Sequence, residues 1–455
     1  MNILEISKII KDQQEISDDK LTSSFLNKFE ITALNPMQEE AIKTIQTKSD
    51  VVLLSPTGTG KTLAFLLPLI GTLDMNCAEI QILILVPSRE LAQQIEQVTR
   101  KMGSGFKVNA VYGGRAGSLD KIDLKHRPAI LIGTPGRIAD RFRRDKFSLE
   151  YINTLILDEF DKSLEIGFEK EMAEIIESLP NVQQRILTSA TSDAKIPEFV
   201  GLQKPVFINY LQEGISQLTI KTIISPEKDK LKTLVKALTF IGYQPGIIFC
   251  NFKESLKRVS DFLTENHIHH ECFHGGMEQI DREQALIKFR NGTTQLLLAT
   301  DLAARGLDIT EIKFILHYHL PLRKKEFTHR NGRTARMNRD GIAYILYWKE
   351  EKLPDFIQKI APENLNIEDQ QKATLPSPVK WKTLYINGGR RDKISKGDVA
   401  GLFLKQGQVQ KDQLGVIELK QNCTYAGVHA EIAEILIEKT NNTKLKKMKV
   451  KICLI

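Results

Sequence analysis

The stretch Ser55 to Thr62, SPTGTGKT, restricts the fold of this chain more than any other. It follows the apolar run DVVLL from Asp50 and opens the helical pattern KTLAFLLPLI from Lys61. A strand that ends in a glycine-rich turn and continues as a helix aims backbone N–H groups at an anion, where the helix dipole also favours negative charge. Gly58 and Gly60 let the loop curl around phosphates, Lys61 supplies a point charge, and the Thr62 hydroxyl is available to Mg²⁺. Ser55 stands where the eight-residue pattern usually has its first glycine, and Thr57 and Thr59 complete the loop. A unit of this kind belongs to a parallel sheet with helices on its faces, so the chain is expected to be α/β.

The alternation of short apolar runs with helical patterns extends that expectation. DVVLLSP, IQILILVPS, AILIGTP, TLILDEF and RILTSAT occupy a first region, and GIIFCN, IHHECFHGG, TQLLLATD, FILHYHLP and GIAYILYW a second. Two α/β halves in tandem follow, covering 1–208 and 209–362, with a polar linker at 363–380 that carries Pro376 and Pro378. From Trp381 to Ile455 the order reads strand, helix, strand, strand, helix, strand, which predicts a small α+β domain of the RRM-like type. At 455 residues the chain has room for about three domains.

Two further clusters carry chemistry. LILDEFD sets Asp158 and Glu159 directly after a strand, where the C-terminal edge of a parallel sheet meets its ligands. With a phosphate loop upstream, Asp158 is expected to hold Mg²⁺, directly or through water, and Glu159 to orient the attacking water. The second half has no second GKT; it ends instead with HRNGRTAR, from which Arg333 and Arg336 would oppose the charge that develops on a transferred phosphoryl group. The site would then be complete only when the halves close on the nucleotide. HHECFH, from His269, has metal-like composition, but strand alternation divides its side chains between two faces.

Composition sets the surroundings. Hydrophobic residues at 42% and charged residues at 26% suit a soluble protein, and no apolar run reaches the roughly 20 residues of a membrane span. The N-terminus reads neither as a secretory signal nor as a transit peptide, and five dispersed cysteines suit a reducing compartment, so a cytoplasmic monomer is expected. Residues 376–455 hold 15 lysines and arginines against 7 acidic residues, so the whole formal charge of +8 lies in the tail. A small domain so charged is suited to phosphate backbones.

In order along residues 30 to 360, PSRELAQQ, Gly113-Gly114, TPGR, DEFD, SAT, Gln279 with Arg282, ATDLAARGLD and HRNGRTAR resemble the motif set of DEAD-box RNA helicases. The resemblance implies two RecA-like P-loop domains, RNA-stimulated ATP hydrolysis with Mg²⁺, and local unwinding of RNA duplexes. It implies that Arg89, Gly114, Thr134 and Arg137 line the RNA strand in the first half, with His274, Gly275, Thr300 and Arg305 in the second. Asp161, Ser189 and Thr191 would couple nucleotide state to closure. Gln38, Gly306 and Asp308 would contact the nucleotide, Gln38 by reading adenine. Phe160 replaces the alanine of the signature tetrad, Ile31 and Leu34 replace the usual residues near Gln38, and Ala335 and Asn338 interrupt glycines of the last arginine motif.

From Thr383 to Phe403 the tail is similar to the RNA-binding domain of DbpA-like helicases. That similarity implies structured ribosomal RNA as partner and pre-ribosomal particles of the large subunit as setting. Tyr385 and Tyr425 fall on strands where RRM aromatics stack bases; Gly389, Arg390, Arg391, Lys393 and Lys396 offer a second surface, and Lys444, Lys446, Lys447 and Lys449 a third. Two other readings stay open at this point: a non-catalytic, ATP-gated RNA-binding scaffold and a DNA helicase on the same core.

Overall fold

The structure is a computed structural model that describes residues 25–29, 31–114, 117–191, 195–212, 218–301, 312–334, 340–367 and 379–455. The described residues fall into two compact units, one within 1–215 and the other within 216–455.

In the first unit, strands β1 (Val51–Leu54), β2 (Ile82–Leu85), β3 (Val108–Val111), β4 (Ile130–Gly133), β5 (Thr154–Leu157), β6 (Gln184–Ser189) and β7 (Val206–Asn209) form one sheet. Their order is β3-β4-β2-β5-β6-β1-β7, with every pair parallel. Both faces are covered, which is why these strands read as continuous Ile, Leu and Val with no alternation. Val51, Leu53, Ile84, Ile132, Ile156 and Ile186 point to one layer; Val52, Leu83, Leu131, Leu155 and Leu187 point to the other. Helices α1 (Pro36–Gln46), α2 (Lys61–Ile70), α3 (Arg89–Met102) and α4 (Pro135–Arg144) connect or flank the strands. Strands β3 and β7 were not among the expected runs: VNAV carries a polar residue and VFIN is an edge strand with three exposed positions.

The second unit repeats this order. Strands β8 (Leu218–Ser225), β9 (Gly246–Phe249), β10 (Glu271–Phe273), β11 (Leu296–Ala299), β12 (Phe314–His317), β13 (Gly341–Trp348) and β14 (Glu363–Asn364) lie as β10-β11-β9-β12-β13-β8-β14. Strand β8 thus takes the place of β1, but the turn after it, SPEKDK, has no glycine. There the buried Lys230 donates to Leu346 O at 3.1 Å and pairs with Glu351 at 3.3 Å, so its charge is held by the protein. Strand β14 pairs with β8, so the sheet extends into the first two residues of the expected linker.

The tail is a four-stranded antiparallel sheet, β15 (Trp381–Ile386), β16 (Leu414–Leu419), β17 (Thr424–His429) and β20 (Ile452–Leu454), in the order β16-β17-β15-β20. A short hairpin of β18 (Lys444–Leu445) and β19 (Met448–Lys449) precedes the last strand and carries the lysine run. Leu384, Ile386, Ala426 and Val428 face the helices Lys396–Gly401 and Ala433–Thr440.

The opposite face of this sheet is covered by helix Gln279–Arg290 of the preceding domain and the turn after it. Asn291 Nδ2 donates to Thr383 Oγ1 at 3.2 Å, and Thr293 and Thr383 hydroxyls lie 2.7 Å apart. Arg290 pairs with Glu418 at 2.9 Å, Lys420 with Glu283 at 3.4 Å, and the Tyr425 hydroxyl bonds the Gln284 side chain. Tyr425 is 2% exposed, so the aromatic that an RRM would use for stacking is spent on a protein contact. A Cβ added to Gly427 would lie 3.2 Å from Asn291 Cγ, which leaves no room for a longer side chain. Gly427→Leu is therefore expected to lift the tail off this helix. Hydrogen exchange should rise together in residues 279–294 and 424–429, and unchanged protection in both would contradict the packing.

Candidate active site

The site-forming loops gather at the C-terminal edge of the first sheet, where a parallel sheet receives ligands. Strands β5, β6 and β1 are neighbours and deliver DEFD, SAT and SPTGTGKT; strands β3, β4 and β2 are neighbours and deliver Gly113-Gly114, TPGR and PSRELAQQ. One half of the edge therefore carries the phosphate chemistry and the other the expected RNA path.

The phosphate loop is closed around its own lysine. Lys61 is buried, and its Nζ donates to Ser55 O at 2.6 Å and to Pro56 O at 2.8 Å. Ser55 Oγ donates to Thr59 Oγ1 at 2.8 Å, and Thr59 Oγ1 in turn donates to Pro56 O at 2.9 Å. The serine in the first position thus adds a bond that glycine could not make. Gly58 and Gly60 adopt φ of 85° and 86°, left-handed values that favour glycine. Thr57 lies half-buried in the loop and Thr62 half-buried in the first turn of α2.

Gln38 lies against this loop. Its Nε2 donates to Gly60 O at 3.2 Å, its Oε1 accepts the Asn35 N–H at 3.0 Å, and a Cβ at Gly60 would approach Nε2 to 2.3 Å. Asn35, the N-cap of α1, donates from Nδ2 to Thr59 O at 3.0 Å. Gln38, expected at the adenine, thus braces the phosphate loop through Nε2, while its carbonyl closes the helix cap with Asn35. Asn35 was not expected to take part, although an Asn before Pro36 with Gln three residues on is a helix-capping signal.

Asp158 follows β5 and is fully buried; burial, and then the neighbouring Glu159 charge, push its carboxyl up to about 6. The Thr188 hydrogen bond and the Lys61 charge oppose that rise. Glu159 is buried at φ 49°, a left-handed conformation uncommon for a residue with a Cβ. Among the described residues no three His, Cys, Asp or Glu side chains cluster, so an all-protein metal cage is absent. Mg²⁺ does not need one: it is held by one or two protein oxygens with phosphates and waters, and the Asp158 carboxylate with the Thr62 hydroxyl fits that donor set. Bound there, the ion would neutralise phosphate charge while Glu159 orients water.

Ser189, Thr191 and Asp161 are joined. Thr191 N donates to Ser189 Oγ at 3.0 Å, Ser189 Oγ to Thr191 O at 2.9 Å, and Thr191 Oγ1 to Asp161 Oδ2 at 3.1 Å. The strand end after β6 is thereby tied to the helix that begins at Phe160, whose ring is buried in the core where the signature alanine would stand.

On the other half of the edge, the Arg89 guanidinium lies over the paired glycines. A Cβ on Gly114, at φ 81°, would fall 2.2 Å from Arg89 Nη1. Thr134 occupies the N-cap position of α4 without a side-chain capping bond, and Arg137 Nε donates to the fully buried Asp120 Oδ2 at 2.6 Å. Asp120 was not anticipated; it belongs to no motif and is found only by its geometry.

In the second unit His274 and Gly275 follow β10 and Thr300 follows β11, on adjacent strands. Burial, and then the charges of Arg282 and Lys253, lower the pKa of His274. Arg333 is buried, with Nε donating to His329 O at 3.4 Å. Arg330, which sequence reasoning passed over, is 1% exposed and donates to both Asp301 oxygens, to Asn251 Oδ1 and to His319 O. Arg305, Gly306, Asp308 and Arg336 lie outside the described residues.

Residues 35–199 match the family described as DEAD/DEAH box helicase, 229–338 the helicase conserved C-terminal domain, and 383–453 the DbpA RNA binding domain. The chain is 31% identical to the ATP-dependent RNA helicase DbpA of Bacillus subtilis over 447 residues, 91% of this chain and 93% of that one. It is 30% identical to the DbpA of Escherichia coli, over 92% of this chain and 94% of the other. Among solved structures, Mss116p bound to ssRNA and AMP-PNP superimposes with a TM-score of 0.67 at 25% identity, covering 76% of this chain and 77% of its own.

The raised pKa of Asp158 has a stability consequence. A carboxyl that titrates at about 6 when folded and near 3.8 when unfolded binds more protons folded, so its contribution to stability falls as pH rises from about 4 to about 6. Asp158→Asn should therefore stabilise the metal-free protein at pH 7.5, by on the order of 3 kcal/mol at most, with the gain gone near pH 4. Thermal unfolding in EDTA at the two pH values checks this; a destabilised variant at pH 7.5 would contradict it.

Proposed function

The chain belongs to the DEAD-box family of ATP-dependent RNA helicases, and from that premise we propose that it unwinds short duplexes in structured ribosomal RNA during assembly of the large ribosomal subunit. ATP with Mg²⁺ is the fuel, pre-ribosomal particles are the partners, and a cytoplasmic monomer is the working form.

The observation that carries the reading is the surface left open on the tail. With one face of the sheet against helix Gln279–Arg290, recognition falls to the loop Gly389 to Lys393 and the helix start at Lys396. That loop is stiff: Arg390 N donates to Lys420 O and Arg391 N to Gln421 O, both at 3.0 Å, and Gly389 N to Asp392 Oδ2 at 2.9 Å. A Cβ on Gly389 would meet Gln421 O at 2.5 Å, so the close approach needs glycine. Lys446 pairs with Asp398 at 2.9 Å, which brings the lysine hairpin alongside the helix that starts at Lys396. Two basic groups distant in sequence thus form one surface, suited to backbone phosphates at two points of a folded RNA.

Reversing Arg390, Arg391 and Lys393 to Glu in the full chain is expected to weaken binding of a structured ribosomal RNA fragment by at least tenfold. Phosphate release stimulated by an unstructured RNA should change little. Equal loss with both RNAs would contradict targeting by the tail, and no loss with either would contradict the surface.

A further inference from the structure

We infer that Thr188, the last residue before the Ser189-Ala190-Thr191 motif, is a positioning residue for both carboxylates of the ATPase centre. It lies on β6, the strand between the one that delivers Asp158 and the one that delivers the phosphate loop. It pairs with Leu53 on β1 and is wholly buried in a layer of Val, Ile and Leu side chains, where a hydroxyl has no water to turn to.

Both hydrogen-bonding functions of that hydroxyl go to the catalytic turn. Thr188 Oγ1 donates to Asp158 Oδ1 in a short bond, and it accepts the backbone N–H of Glu159 at 3.1 Å. The first bond holds Oδ1 and so fixes the orientation of the Asp158 carboxylate. The second pins the residue whose backbone is left-handed, at φ 49°. A strained backbone persists only where its surroundings over-determine it. The Asp158 N–H still bonds the sheet, at Leu85 O, and the Thr188 hydroxyl anchors the next residue, Glu159, where the chain leaves the strand. A β-branched residue suits this task because its χ1 is stiff.

The arrangement is a second layer around the expected Mg²⁺ ligand. Outer-layer partners of metal ligands typically contribute about 10- to 100-fold to affinity or activity. The inference rests on the reading of Asp158 as the cation-side carboxylate, and the test separates the two.

Thr188→Val keeps shape and removes the hydroxyl; Thr188→Ser keeps the hydroxyl. In the full chain, the Mg²⁺ concentration that half-saturates binding of a fluorescent ADP analogue is expected to rise about tenfold or more for Thr188→Val. Binding of the same analogue in EDTA should stay the same, because the phosphate loop is untouched. Turnover at saturating RNA should fall, with the RNA concentration for half-stimulation unchanged, and Thr188→Ser should recover most of both effects. Wild-type Mg²⁺ dependence in Thr188→Val, or a Ser variant as defective as Val, would overturn the inference. Should Thr188→Val fail to fold, Thr188→Ala gives the same comparison. If Asp158→Asn itself left the Mg²⁺ dependence unchanged, the cation assignment would be the part that fails.

Discussion

A buried ammonium organises the centre. Lys61 is held by two carbonyls of its own loop, and the loop can close on it because Gly58 and Gly60 take left-handed backbones. Burying a charge is costly unless it is paired and hydrogen-bonded, so the surroundings of Lys61 are committed in advance. Gln38 and Asn35 brace the loop from α1, β6 supports it through Ser55 N–H to Ser189 O, and the fully buried Asp158 answers its charge. These contacts come from four segments that the parallel sheet brings to one edge.

The second half has the same strand order but treats the corresponding position differently. Its counterpart of the phosphate loop has no glycine, and Lys230, near the equivalent position, gives its charge to Glu351 and Leu346 O. The repeated topology has been turned to other work: Arg330 locks Asp301 and Asn251 at the sheet edge, and the helix Gln279–Arg290 receives the tail.

Much of this was legible in the sequence because local chemistry and fold agree. SPTGTGKT needs a strand before it and a helix after it, and DEFD and SAT need strand ends; the runs DVVLL, TLIL and RILTS supplied them. The short or polar strands Val108–Val111 and Val206–Asn209 were missed because neighbours rather than their own residues hold them in the sheet. Long-range pairings were also invisible. Nothing around Asp120 signals that it holds Arg137, and nothing in Thr188 alone signals that it serves Asp158 thirty residues earlier. The tail shows the limit most sharply. Tyr425 has the position of a base-stacking aromatic, and only the contacts with helix Gln279–Arg290 and the turn after it reveal that the sheet faces protein.

Under the proposed function, ATP hydrolysis at Lys61, Asp158 and Glu159 separates RNA strands. The most direct measurement is displacement of a short labelled strand from an RNA duplex adjoining a structured ribosomal hairpin, comparing the wild-type chain with Glu159→Gln. Multiple-turnover displacement that requires ATP is expected in the wild type and lost in Glu159→Gln, while RNA binding persists in both. Displacement at the same rate without ATP, or sustained by the Glu159→Gln chain, would contradict it.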